Sequence, residues 1–513
     1  MPRTTLRELP QERLAIRLLA IIITILMVLI TIEAGIDLWR TGKSLSDLSF
    51  DTDAGRSLAS TASRAMTQLM AMVLTFIALA IPITANMYTP KLIEIFLRDP
   101  LNLAALLYFS IAGAHSIFGQ AVMVEAWNPG FTFAVLTVMA IVGYAVLIPY
   151  YFYVLHFLNP STIIARVTDQ LLDEFEDIRK GVRPVPIARR RLHQKILHLG
   201  NVILRAVERA DRDVSLDAIH ALERVLARYC DLKPHLKPEW FDVEPDLFVG
   251  LSEEAVRFIV RDRIWVEHKG LSQLTLGYNS ALAKMQDAIS AISDVDRAIA
   301  LHALEKGDEK LLDLCVRFFN TFIREAVKKK DVHALYDLFY QYKLLARQLL
   351  RDRPRTVLDI GRYFKYYGEF ARLQGLSFIY ELTAYELGSM VEWAYDAEAE
   401  TRRDLLALFL SFEAAQASIR LTKAAVILGA YFADTGREAE SKLVREALGR
   451  HSPSVLDEAK RSLMETTEPI FWEVTDRQLN FDYVDPARRA TVGRLVDEIV
   501  AGLRGGVAAK GKS

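Results

Sequence analysis

Four long stretches without any Asp, Glu, Lys or Arg lie in the first third of the chain. They cover residues 18–32, 65–90, 100–124 and 126–165, and the first of them is the shortest. A helix needs roughly 20 predominantly apolar residues to cross about 30 Å of hydrocarbon. The runs therefore predict four membrane-spanning helices, near residues 16–38, 65–88, 101–124 and 130–157.

Charged side chains are distributed unevenly along the 513 residues. Residues 1–157 carry 20 Asp, Glu, Lys and Arg side chains, whereas residues 158–513 carry 107. This contrast predicts a membrane domain followed by a large domain that faces water. The formal net charge is −1, so the chain has no overall basic character, and we expect no nucleic-acid partner.

Loop charges predict the orientation in the membrane. Four arginines precede the first run, as in a signal peptide, but no Ala-x-Ala cleavage pattern follows and three more runs do, so we expect an uncleaved anchor. Four spans put both termini on one side. The connection at 125–130 has no basic residue. The connection at 89–100 and the segment after the fourth span both contain basic residues. The positive-inside rule therefore predicts that both termini are cytoplasmic.

The connection between the second and third runs has an amphipathic pattern. Prolines bracket residues 91–99, and apolar positions alternate there with Lys91 and Arg98. This pattern predicts a short helix on the inner membrane surface, with both basic side chains near the lipid headgroups. A plain connecting loop is the alternative.

Three short motifs resemble a known family. They are Thr-Ala-Asn-Met-Tyr-Thr-Pro-Lys-Leu at 84–92, Phe-Leu-Arg-Asp at 96–99, and Tyr-Phe-Tyr-Val-Leu-His at 151–156. Together with a helical stretch at 203–222, they resemble the uncharacterised bacterial membrane proteins of domain of unknown function 2254, over about residues 60–225. The chain departs from that family at Thr89, Lys91 and the single His156. The resemblance implies a multi-pass architecture and a bacterial inner membrane, and it implies no activity.

Beyond residue 158 the pattern is helical almost throughout. Between residues 311 and 327 the apolar residues recur with a period of about 3.6, and breaks fall at 183–186, 233–245, 353–354 and Gly436. Such helices predict an all-α fold, either a bundle or an irregular α-solenoid. The segment 428–448 resembles one tetratricopeptide-like hairpin, but no copy of it recurs at the roughly 34-residue period of such repeats.

We therefore expect four parts in the chain. They are a transmembrane domain at 1–158, a helical neck at 159–232, a helical cytoplasmic domain at 233–503 and a disordered tail at 504–513. The neck contains a basic cluster, and this cluster predicts contact with anionic lipid headgroups. Its residues are Arg189, Arg190 and Arg191. A solvated charged helix face is the alternative reading of that cluster.

Polar residues inside the apolar runs are the main functional signal, because such groups are costly in hydrocarbon. The candidates for lining a water-accessible path are Gln68, Thr75, Pro82, His115, Ser116 and Gln120. Hydrogen bonding and close packing between helices would explain the same residues equally well.

Enzyme chemistry finds little support in the residues. The chain has no glycine-rich dinucleotide turn, no His-Glu-x-x-His and no nucleophile elbow. Its two cysteines, Cys230 and Cys315, lie far apart in the sequence and have no metal-binding spacing. We expect no catalytic residue, no metal and no cofactor.

Two hypotheses remain open. The first is a homo-oligomeric channel, because four spans enclose little on their own and a pore needs several copies around an axis. The second is a membrane-anchored scaffold or accessory subunit, whose large helical domain binds another protein.

Overall fold

The computed structural model describes Trp39, residues 52–87, Ile93, Phe96, and residues 99–122, 130–412, 418–471 and 479–510. The chain divides into two compact units, Met1–Val167 and Thr168–Ser513. The predicted span at 16–38, Lys91 and Arg98 lie outside the described residues.

Three long helices make up the described part of the first unit. They are α1 (Thr52–Met87), α2 (Pro100–Val122) and α3 (Gly130–Phe157). Each contacts the other two. Helix α4 (Pro160–Lys180) follows and contains the boundary between the units.

Three candidate membrane spans lie in the described residues, rather than four. They are Asp53–Leu79, Pro100–Phe118 and Ala134–Phe157. The first of these corrects the expected start at residue 65. Helix α1 begins at Thr52, and residues 53–64 are mostly Ala, Ser, Leu and Arg, which are compatible with a helix. The charge-free run begins later than the helix because Arg56 and Arg64 lie within this first part.

Many large apolar side chains of this unit point away from its interior. Leu79, Leu107, Ile117 and Ile148 are all more than half exposed. Inside the unit, small residues allow close packing, and the Met66 side chain fills the space where Gly143 has no Cβ. An outer surface of this kind is costly in water and matches the predicted membrane environment.

The second unit is a stack of helical hairpins. Its described helices form five successive pairs, and the two helices of each of the first four pairs pack on each other as a hairpin. The pairs are α5 (Val185–Glu208) with α6 (Arg212–Leu232), α8 (Trp265–Ala281) with α9 (Gln286–Lys306), α10 (Glu309–Lys329) with α11 (Val332–Leu349), α12 (Pro354–Leu373) with α13 (Ser377–Asp396), and α14 (Arg402–Leu410) with α15 (Ile419–Asp434). Each first helix packs on the first helix of the next hairpin, and each second helix on the next second helix. Of the two predicted architectures, this order corresponds to the α-solenoid.

The last four helix pairs recur at a nearly regular spacing. Their second helices begin at Gln286, Val332, Ser377 and Ile419. This spacing of about 45 residues is typical of two-helix repeats. Only copies of the segment 428–448 at the shorter tetratricopeptide period were sought in the sequence, and none was found. The structure shows instead longer hairpins of unequal length, whose sequences share only the helical apolar period.

Local sequence signals set the helix ends. Asp211, Asp308 and Asp331 each accept a backbone N–H in the first turn of α6, α10 and α11. Gly307 has φ of 69° at the end of α9, a conformation that glycine adopts without strain. These caps start the next helix within a few residues, inside the α5–α6 and α10–α11 pairs and between α9 and α10.

The far end of the solenoid carries three further helices. They are α16 (Glu438–Leu448), α17 (Pro453–Glu465) and α18 (Pro486–Lys510), and all three pack on α15. Helix α18 takes in residues 504–510 of the tail that was expected to be disordered. Between the first two hairpins lie α7 (Glu253–Arg261) and three short 3₁₀ turns, within Lys233–His235, Pro238–Trp240 and Pro245–Phe248.

Helices α5 and α8 approach each other tightly at Gly200. A Cβ atom at this position would lie 2.2 Å from Oε1 and 2.5 Å from Cγ of Gln273. Gln273 is buried, so its side chain has little room to withdraw. The first two hairpins therefore depend on a glycine at this contact.

We predict that Gly200→Ala lowers the free energy of unfolding by about 1–2 kcal/mol, because overpacking outweighs the gain in helix propensity. Thermal unfolding of the full chain in detergent, followed by tryptophan fluorescence, measures this change. Gly502→Ala is the matched control, since its Cβ would meet nothing within 4 Å. It should be neutral or stabilising, and equal unfolding temperatures for the two variants would contradict the prediction.

Candidate functional site

The residues expected to line a path are mostly on the surface of the first unit. Gln68, Thr75 and Pro82 on α1 and Gln120 on α2 are exposed. The exposed polar side chains of Gln68, Thr75 and Gln120 therefore make no contact with other described residues that would identify a path through the unit.

The other two candidates lie deeper in the unit. Ser116 is buried and donates to the carbonyl of Ala112 in its own helix, at 2.8 Å. His115 is half-buried, and its Nε2 has no hydrogen-bond partner among the described residues. Ser116 is therefore satisfied within α2, whereas His115 keeps an unused polar atom.

A network centred on Asp99 brings together polar residues at one end of the spans. Asp99 precedes Pro100, and its Oδ1 accepts the backbone N–H groups of Leu101 and Asn102 at 3.1 and 3.2 Å. This is an N-cap followed by proline in the first helical position. The cap places a carboxylate at the positive end of α2.

Three further side chains complete the Asp99 network. The hydroxyl of Tyr153 donates to Asp99 Oδ1 at 2.5 Å, and that of Tyr150 donates to Asn102 Oδ1 at 2.5 Å. The guanidinium of Arg166 donates to Asp99 Oδ2 at 3.2 Å. The charge of Asp99 is thereby paired, and its side chain is only 10% exposed.

Aromatic packing surrounds the ion pair. The guanidinium of Arg166 lies 4.3 Å from the centre of the Phe157 ring. Phe157 meets Phe96 edge-to-face with centroids 5.0 Å apart. This packing shields the Asp99–Arg166 pair from water and strengthens it.

Two residues from the motifs that carry the family resemblance, Asp99 and Tyr153, meet in this network. The sequence analysis did not single out Asn102, Tyr150 or Arg166. Two sequence signals were available. The Asp99-Pro100 pair stands just before the third charge-free run, and Arg166 is the first basic residue after the fourth run.

In the second unit, carboxylates pair with the basic cluster at 189–191. Arg189 is buried, Arg190 donates to Glu244 at 2.9 Å, and Arg191 donates to Glu174 at 3.2 Å. Arg190 and Arg191 therefore have carboxylate partners within the second unit, although both side chains remain exposed. Contact with lipid headgroups stays a prediction.

Glu174 is the centre of a larger ion cluster between α4 and α5. Its carboxylate is 1% exposed and lies 2.6 Å from Lys195 Nζ and 3.4 Å from an Arg183 nitrogen, in addition to Arg191. A buried carboxylate with three cations ties the end of α4 to the first hairpin of the solenoid.

The thiols show no activation. Burial raises the pKa of Cys230 and of Cys315, so both thiols stay protonated at neutral pH. Burial likewise raises the pKa of the Asp296 carboxyl, which lies close to Cys315. Among the described residues, no group of three or more His, Cys, Asp or Glu could hold a metal ion.

A non-helical segment lies against second helices of the last hairpins. Phe481 contacts the rings of Tyr336 on α11 and Tyr385 on α13, and Asp482 accepts from the Tyr385 hydroxyl at 2.7 Å. The ammonium of Lys423 on α15 donates to the other oxygen of Asp482 at 2.7 Å. Sequence reasoning missed this contact, because it joins residues that are distant in the sequence.

A cavity of about 240 Å³ adjoins this segment. Its lining includes Tyr385, Ser389 and Phe481, together with the ion pair of Glu392 and Arg488, whose atoms lie 3.2 Å apart. Burial raises the pKa of Glu392 despite this pairing. The cavity is small and partly polar, and the segment forms one of its walls.

Comparison with known proteins bears on the amino-terminal part. Residues 12–226 match a family described as "Predicted membrane protein (DUF2254)". This match confirms the resemblance seen in the motifs and extends it toward the amino terminus. Together with the apolar helices, it supports a helical membrane protein.

Other comparisons add little. No curated protein matches the chain. A solved structure titled "Circular tandem repeat protein with novel repeat topology and enhanced subunit contact surfaces" aligns at 15% identity over 90% of this chain and 100% of its own. The TM-score of 0.26 is too low to indicate a shared fold.

We predict that Asp99→Asn lowers the free energy of unfolding by about 2–3 kcal/mol. Asn keeps the shape and the cap, so the loss reports the missing ion pair between Asp99 and Arg166. Denaturant unfolding of the full chain in detergent, followed by tryptophan fluorescence, measures this change through the midpoint of the transition. Asp169→Asn, an exposed carboxylate on α4, is the control and should be within about 0.5 kcal/mol of the wild type. A midpoint for Asp99→Asn that equals the control's would contradict a stabilising ion pair.

We also predict that Glu174→Gln destabilises the chain by about 2–3 kcal/mol, because three cations lose their buried counter-charge. Glu176→Gln is the matched control. Glu176 pairs with Arg179 and Arg228 on the surface, where its side chain is 40% exposed. Its loss should be below about 1 kcal/mol, and added salt should affect it more. Unfolding temperatures in low and high salt test both statements, and equal losses would refute them.

Proposed function

We propose that the protein is a membrane-anchored scaffold whose helical solenoid binds another protein. The observation that carries this proposal is the stack of five helix pairs, since stacked helix pairs present extended continuous faces suited to protein partners. The apolar helices of the first unit then act as the anchor.

The location in this proposal rests on the sequence. The anchor has four spans, including the one predicted at 16–38, and lies in a bacterial inner membrane. Both termini and the solenoid are cytoplasmic, on the positive-inside argument. The proposed role is binding rather than catalysis, and we propose no cofactor.

A homo-oligomeric channel is the second candidate. Its support is the exposure of Gln68 and Thr75 on α1, because polar side chains facing hydrocarbon are unfavourable unless water or another helix meets them. His115 adds a buried ring nitrogen without a partner among the described residues. In a ring of three or more copies, these residues would line the path.

The native mass of the chain, extracted from its own membrane in mild detergent, separates the candidates. The scaffold predicts a mass that is not a multiple of 58.0 kDa, with other chains in the same particle. A chain that runs alone as a monomer would contradict both candidates.

A clean multiple of three or more would favour the channel. Ion flux into liposomes should then fall in Gln68→Leu and stay unchanged in the control Gln170→Leu, which alters an exposed glutamine outside the candidate spans. An oligomer without flux would leave the channel unsupported.

A further inference from the structure

Residues 479–484, between α17 and α18, lie against the solenoid as a bound peptide would. In its described part, a single backbone bridge joins Ile470 and Leu479, and the Asn480 N–H donates to the carbonyl of Pro469 at 2.9 Å. Its principal side-chain contacts to the stacked second helices come from Phe481 and Asp482. We call residues 479–484 the strap.

The Phe481 ring fits between two tyrosines from different hairpins. It meets Tyr336 edge-to-face with centroids 5.6 Å apart, and Tyr385 at an angle of 49° with centroids 5.2 Å apart. Tyr336 and Tyr385 belong to α11 and α13, so neighbouring second helices of the stack form one receptor for an aromatic ring.

The Asp482 carboxylate meets two donors directly beside this receptor. Tyr385 donates to one oxygen and Lys423 to the other, each at 2.7 Å. Lys423 is 6% exposed, and it forms an ion pair with Asp482. A buried ammonium that loses its counter-charge is strongly destabilising, so this position on α15 requires a carboxylate.

The backbone of the strap is shaped by its own side chain. Asn480 Oδ1 accepts the N–H of Asp482 at 3.0 Å, and the Asn480 carbonyl accepts the N–H of Tyr483 at 3.2 Å. This local turn presents Phe481 and Asp482 together. A peptide of residues 479–484 keeps these two hydrogen bonds, whereas it lacks the bridge to Ile470 and the bond to Pro469.

We propose that Tyr336, Tyr385 and Lys423 form a binding site for a turn that carries an aromatic residue followed by an acidic one. The strap occupies this site within the chain, and a protein partner with the same two side chains replaces it. The inference deepens the proposed scaffold function and rests on it, because it names the partner's recognition element.

The strap and its binding site belong to the same chain, so the strap competes with any free peptide for that site. A tethered strap acts at an effective concentration of order millimolar, so it excludes a weakly binding free peptide. Release of the strap should therefore expose the site. Phe481→Ala/Asp482→Ala removes both anchoring side chains.

The test uses the full chain in detergent and a fluorescent peptide of residues 479–484, Leu-Asn-Phe-Asp-Tyr-Val, with anisotropy as the readout. We expect the released variant to bind this peptide at least tenfold more tightly than the wild type does. Adding Lys423→Met to the released variant, or replacing Asp by Asn in the peptide, should weaken binding at least tenfold.

The matched control also removes one acidic and one large apolar side chain, but outside the strap, between α17 and residue 471. Glu468→Ala/Ile470→Ala removes one acidic and one large apolar side chain, both exposed, and should bind the peptide no better than the wild type. If the released variant does not fold, Asp482→Asn alone keeps Phe481 and should still bind more tightly than the wild type.

A folded released variant that does not bind the peptide, or that binds it regardless of Lys423, would overturn the inference. Because the assay uses the purified chain, its failure leaves the native-mass result and the scaffold proposal intact. Conversely, a chain that is monomeric in its native membrane would contradict the scaffold without changing the measured peptide affinity.

Discussion

Packing of one hairpin on the next is the interaction on which the second unit depends. A single pair of helices cannot bury its apolar stripe, so each hairpin is stable only against its neighbours. Close approach is required where the stripes meet, and Gly200 beside Gln273 shows how little room is left. The same dependence leaves an open face at each end of the stack. At the far end, α16 to α18 pack on α15 and cover it.

Partly buried ion pairs then join parts of the chain that the apolar stripes alone do not connect. Asp99 pairs with Arg166 in the first unit, and Lys423 pairs with Asp482 in the second. In both pairs the partners are distant in the sequence and come from different elements. Apolar packing tolerates many arrangements of similar volume, whereas a buried charge tolerates only an arrangement with its counter-ion. These pairs therefore specify which segments meet, and the strap is held in its place by such a pair.

Several features were predictable because they are local. Proline and glycine placed the breaks at 183–186, 233–245, 353–354 and Gly436, and helices end or begin at each of them. The apolar runs indicated the helices that became α1, α2 and α3, although α1 starts well before its run. The two motifs that meet at Asp99 and Tyr153 were also recognisable, but their contact was not, since it joins the ends of different helices.

The sequence by itself determined the helical class, the membrane character of the first third and most helix boundaries, since all three depend on composition and on neighbours within one or two turns. Tertiary structure alone decided that the hairpins stack in order at a nearly regular spacing, that Arg189 is buried and its neighbours paired, and that Phe481 and Asp482 lie on the solenoid. These outcomes depend on which distant surfaces are complementary in shape and charge. The apolar period of a helix predicts only that one face is buried. It does not predict which element packs on that face.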